Sequence, residues 1–76
     1  MARLTPVAPR VMDRALRQLD FQRVRQKGSH VFHRHPDGRT TTVPHHRGRD
    51  LAVPLVRAIL ADIRISPDEF VHLLKS

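Results

Sequence analysis

The chain has 76 residues, no cysteine, and a formal net charge of +7 from 14 basic and 7 acidic side chains. That length supports one small domain, residues 1–76, with a core one side chain deep, which excludes deep enclosed pockets and directs any chemistry to an open face that a polymer can lie across. The lack of cysteine excludes disulfide staples and thiolate metal sites. With no apolar run long enough to cross a bilayer, the expectation is a cytoplasmic protein with no membrane role.

The charge is unevenly placed. Residues 22–50 carry +5, the first 21 residues +2, and the remainder sums to zero. Twelve of the basic side chains are arginine, whose planar fork suits bidentate contact with phosphate. A basic middle beside a neutral C-terminal segment reads as an electrostatic footprint for a polyanion, with nucleic acid the leading candidate.

In chain order, Ala8, Val11, Met12, Ala15, Leu16 and Leu19 recur at helical spacing, with Arg10, Asp13, Arg14 and Arg17 on the other side. This predicts a first helix over residues 9–19, with Pro9 in its first turn, where a missing N–H costs nothing. Strand-like runs follow at 21–26, 30–35 and 39–44. The first two are separated by Lys27-Gly28-Ser29 and the second and third by the turn "PDG". In these strands Val24, Val31, Phe32 and Val43 read as sheet packing and not as base-stacking platforms, three aromatic residues in all being too few for such a surface. A second helix is predicted over 53–63 from Leu55, Val56, Ile59, Leu60 and Ile63, and a short third one behind the capping sequence "SPDE". The predicted fold class is α+β: helix, three-stranded antiparallel sheet, helix, short C-terminal helix, with helices on one sheet face and the other face wet. Double-stranded RNA-binding domains share this plan.

Five of the six histidines fall between Lys27 and His46. An imidazole ordinarily titrates near pH 6.5 and so exchanges protons at neutral pH. His30 follows the Gly28-Ser29 turn, at a rim rather than in a strand's buried middle, with Lys27, Arg25 and, across the sheet, Arg34 or Arg39 as fixed positive charge. RNA cleavage by internal transfer needs only a base for the 2'-hydroxyl proton and cations for the charge growing on phosphate. No clustered carboxylates suggest a two-metal nuclease. His33 and His35, two apart and so on one strand face, together with His45 and His46, could be imagined around zinc. Their spacing matches no zinc signature, and exposed polar strand positions account for them, so no metal and no cofactor are expected. Gly28 is first a turn residue, and Ser29 either satisfies local backbone or donates to phosphate.

The stretches "DF" at 20–21, "VRQKGSHVFHRHPDGRTTTVPHHRGRDL" at 24–51, "RAIL" at 57–60 and "ISPDEF" at 65–70 together resemble the HicA toxins, mRNA interferases of toxin–antitoxin pairs. The resemblance runs from about residue 8 to residue 74 and is most specific in the GSH and TVP motifs. It implies a double-stranded RNA-binding-domain-like fold, an endoribonuclease acting on mRNA to inhibit translation and growth, a HicB-like antitoxin as partner, and catalysis by the histidine of GSH, here His30. Lys27, Gly28, Ser29, Arg25, Arg34 and Arg39 are the expected RNA- and phosphate-binding residues. Three positions depart from the family pattern: Asp20 and Arg64 stand where glycine is usual, and Pro54-Leu55 replaces a glycine-threonine pair. The rival reading is a non-catalytic basic RNA-binding module of the same fold. A protein-only interaction module is a third.

Overall fold

A computed structural model describes residues 2–75. The chain forms α1 (Pro9–Gln18), β1 (Gln22–Lys27), β2 (His30–Arg34), β3 (Thr40–Pro44), α2 (Val53–Ile63) and α3 (Pro67–Leu74). The strands make one antiparallel sheet in the order β1-β2-β3, and the helices cover one of its faces, as the alternation of patterns predicts. Among the described residues, no helix is long and apolar enough to cross a membrane.

The core forms between the covered sheet face and the apolar stripes of the helices. Met12, Ala15 and Leu16 of α1, Val56, Ile59, Leu60 and Ile63 of α2, and Phe70 of α3 are buried with Phe21 and Val43. Upstream of α1, Val7 exchanges two backbone hydrogen bonds with Leu51, at 3.1 and 2.7 Å, which ties the entry to α1 to the entry to α2. The capping sequence behaves as read. Ser66 Oγ accepts the Glu69 amide at 3.1 Å, and the Glu69 carboxylate accepts the Ser66 amide at 3.2 Å, which satisfies two otherwise orphaned donors at the start of α3.

Register determines which strand residues face the helices. The two-residue Gly28-Ser29 turn pairs Lys27 with His30, and Gly28 takes a left-handed φ of +57°, as the first central position of such a turn requires. Alternation then sends Val31 and His33 of β2, with Thr41 and Val43 of β3, into the covered face. His30, Phe32 and Arg34 fall on the open face with Thr40, Thr42 and Pro44. A bulge in β1 between Arg23 and Arg25 puts Arg23 opposite His33 and leaves Val24 as the extra residue, 55% exposed. Val31 and Val43 are therefore core, as expected, whereas Val24 and Phe32 are not. The bulge re-aims Val24, and parity turns Phe32 outward.

Both helix stops explain a departure from the family pattern. Asp20, directly after α1, has φ +69°, and the chain closes with bonds from the Asp20 amide to the Arg17 carbonyl and from the Phe21 amide to the Leu16 carbonyl. Arg64, after α2, has φ +60°, with the matching bonds from Arg64 to Ala61 and from Ile65 to Leu60. These are left-handed helix terminations, where glycine is the least strained residue and a β-carbon costs about 1–2 kcal/mol, less for aspartate than for a longer side chain. Pro54 lies in the first turn of α2 and disturbs nothing there. Arg64→Gly is expected to stabilise the fold by about 1 kcal/mol and Asp20→Gly by somewhat less, measured as the shift of the urea midpoint at unchanged slope.

Candidate functional site

The sequence places five histidines within 20 residues, and the fold separates them into different environments. His30 is exposed on the open face at the turn end of β2. Its cross-strand neighbours are Lys27 on β1 and Pro44 on β3. Two pairs further along, and so on the same face, Arg25 faces Phe32 and stacks its guanidinium carbon 4.7 Å from the ring centroid. Arg34 continues the same face opposite Thr40. The strands contain no aspartate or glutamate, so no strand carboxylate opposes the positive charge of Arg25, Lys27 and Arg34.

Behind His30, the turn is pinned rather than free. The Gln26 side-chain amide donates to the Gly28 carbonyl at 3.0 Å, and the His45 amide donates to the Ser29 carbonyl at 2.7 Å. The second bond continues the β2–β3 ladder past Pro44 and anchors the turn from the far side. Open space surrounds the position a β-carbon would take at Gly28, so this glycine serves backbone conformation and not close packing.

Six of the seven predicted site residues, His30, Lys27, Gly28, Ser29, Arg25 and Arg34, thus lie on the open face or at its turn. Arg39 does not. Its Nη1 donates to the Ile63 carbonyl at the end of α2, its Nε donates to Asp37 at 2.8 Å, and its guanidinium carbon sits 5.2 Å from the Phe21 ring centroid. It satisfies a helix-terminal carbonyl and joins the β2–β3 turn to the core. The Arg39 amide and guanidinium also hold the Asp37 carboxyl below its usual range.

His33 departs furthest from its expected exposed position. It is 2% exposed, and its Nε2 lies 3.3 Å from Oδ1 of Asp13 on α1. Asp13, assigned by periodicity to the polar side of the helix, is itself only 9% exposed, and its second oxygen receives Arg17 at 3.2 Å. The facing His33 and Asp13 atoms are at ion-pair distance without hydrogen-bond geometry. Burial lowers the His33 pKa, Asp13 opposes that shift, and Arg23, His45 and Arg17 reinforce it. His35, just past β2, is half-buried, with Nδ1 accepting the Asp37 amide at 3.1 Å and its ring tilted against Phe21 at 5.1 Å. His46 is exposed in the loop before α2, and His72 lies on α3. Among the described residues, no three histidine, aspartate or glutamate side chains are grouped to hold a metal ion.

The fold and this face define a small basic α+β domain with an exposed imidazole on a cationic sheet surface. The family model described as HicA toxin of bacterial toxin–antitoxin systems matches residues 10–65, and the chain belongs to that family. It is thereby the toxin of a toxin–antitoxin system, and an antitoxin partner is implied. No curated protein matches the chain.

The buried His33 makes stability depend on pH. Its folded pKa lies below the 6.5 of the unfolded chain, so the unfolded state takes up the proton more readily. The stability contributed by keeping the ring neutral is complete above pH 6.5 and is lost progressively as pH falls below 6.5 through the folded value. Urea midpoints measured from pH 8 to pH 5 are expected to fall over that window in the native protein. They should fall less steeply in His33→Gln, which cannot bind the proton.

Proposed function

We propose that this toxin is a metal-independent endoribonuclease that cleaves mRNA by internal transfer and so arrests translation and growth. The observation that carries this reading is the placement of His30, exposed at the end of an open sheet face, across the strand from Lys27 and on a surface without carboxylates. RNA carries its own nucleophile, so a base and a cationic face are sufficient.

In this scheme the unprotonated His30 ring takes the proton of a ribose 2'-hydroxyl. The freed oxygen attacks the adjacent phosphorus, the bond from phosphorus to the 5'-oxygen breaks, and that oxygen takes a proton from water. The products carry a 2',3'-cyclic phosphate and a 5'-hydroxyl. Lys27, with Arg25 and Arg34 along the same face, neutralises charge on the phosphoryl oxygens. Gly28 and Ser29 hold the turn that fixes His30 relative to Lys27, and Ser29 offers its hydroxyl to phosphate. No cofactor enters the reaction. The protein acts in the cytoplasm, where its substrate is, and a HicB-like antitoxin with an acidic patch covers the basic face.

His30→Ala is expected to lower the rate of RNA cleavage about 10²- to 10⁴-fold and to abolish growth arrest when expressed without antitoxin. Cleavage by the native protein should persist in chelator and stop when the nucleotide 5' to the scissile bond is 2'-deoxy. Equal cleavage by His30→Ala, or loss of activity in chelator, would overturn the assignment, and binding without cleavage would return the protein to a binding module. In binding assays, Lys27→Ala and Arg34→Ala should each flatten the dependence of log affinity on log salt by about 0.7. Arg39→Ala should leave that slope unchanged and cost about 2 kcal/mol of stability, from the lost charged hydrogen bonds.

A further inference from the structure

The open face carries more than phosphate-binding charge. A groove of about 480 Å³ lies on it, lined by Val24 and Arg25 of β1, Phe32 and Arg34 of β2, and Thr40 and Thr42 of β3. Its position beside His30 is fixed by register, because Phe32 lies two residues along the same strand on the same face, about 6.8 Å away. That distance is within the span of one nucleotide.

Phe32 is an uneconomical residue for a wet sheet face. No helix covers it, and it remains partly accessible while the smaller Val31 and Val43 fill the core. The Arg25 guanidinium carbon lies 4.7 Å from its ring centroid. A planar cation stacked near an aromatic ring forms a platform of two π-bearing surfaces. Such platforms hold unpaired bases, since every base has a stackable face and the cation also meets the backbone. The β1 bulge contributes by adding Val24 to the lining. Thr40 and Thr42 also line the groove, and a threonine hydroxyl can donate and accept at a base edge.

We propose that this groove is a nucleobase subsite, in which Phe32 and Arg25 stack an unpaired base adjacent to the scissile phosphate and Thr42 contacts its edge. This rests on the reading of the protein as an RNA-cleaving enzyme. It adds that the substrate is locally single-stranded at the cut, because a base still paired within a duplex cannot enter the groove.

The test uses the full chain carrying His30→Ala, so that RNA is bound without being cut. A set of short single-stranded RNAs is prepared, each with one abasic nucleotide at a different position. At one position, beside the site that the native protein cleaves, the abasic substitution is expected to weaken binding about tenfold or more. Adding Phe32→Leu, which keeps an apolar side chain without the ring face, should weaken binding of intact RNA by a similar factor and erase the abasic penalty. Arg25→Lys, which keeps the charge without the plane, should reduce that penalty in a background where Phe32 is intact, and it serves if the leucine variant fails to fold. Annealing a complementary strand should weaken binding of the native sequence. Equal abasic penalties with and without the ring, or tighter binding of the duplex, would overturn the subsite. Failure of the catalytic reading would appear separately, as absence of cleavage by the native protein with the abasic penalty still present.

Discussion

The parity of one strand governs this molecule. Pairing of Lys27 with His30 around Gly28-Ser29 decides which alternate residues of β2 meet the helices, and a one-residue slip would exchange the faces entirely. In the observed register His33 turns inward to Asp13 while His30, Phe32 and Arg34 turn outward. The alternative would place Arg34 and the rim imidazole in the core and expose Val31. Burial of Val31 and Val43, which are directly paired and almost fully inaccessible, opposes that slip from within the sheet. The positive φ at Gly28 opposes it from the turn. The same constraint builds the core and exposes the face on which the chemistry is proposed.

Much of the fold was legible from the sequence because helices declare themselves through stripes and caps. The spacing of Val56, Ile59, Leu60 and Ile63 and the box from Ser66 to Glu69 describe local physics that the tertiary structure only completes. The strand faces were less legible. Phe32 reads as core by hydrophobicity, yet it is outward because Val31 and His33 hold the inward positions. The available signal was pairing itself: a hairpin closing at 28–29 followed by one closing near 37–38 sets Val31 against Val43 and leaves Phe32 on the other side. The bulge at Val24 had no comparable signal, since an extra residue in an edge strand is resolved only by the whole sheet.

The candidate site followed the same division. His30 and its cationic neighbours could be read from a turn motif and local charge, because a two-residue hairpin fixes cross-strand neighbours by geometry alone. Arg39 could not be placed, since its partners Ile63 and Phe21 are distant in sequence and are brought together only by helix packing. Nor could Asp13. At the border of the apolar stripe it is exposed or buried according to what faces it, and a histidine from the sheet decides the matter. Charge counting likewise overstates the free charge, because Arg17 and Arg39 are each paired with an aspartate while Arg25, Lys27 and Arg34 share the open face.

How His30 is held distinguishes this arrangement from an enclosed active site. A buried catalytic group owes its position to packing, so core substitutions many residues away displace it. Here the imidazole stands at the end of a hairpin whose backbone is fixed by the Gly28 conformation, the Gln26 bond and the ladder bond from His45 to Ser29. Position is set by backbone hydrogen bonding within one supersecondary unit, with little dependence on the helices behind it. A chain this small has few side chains to spare for supporting a site as well as a core. Placing His30 on the hairpin rim separates the two demands: α1 and α2 are free to optimise stability, as glycine in place of Asp20 and Arg64 would, without moving the open face.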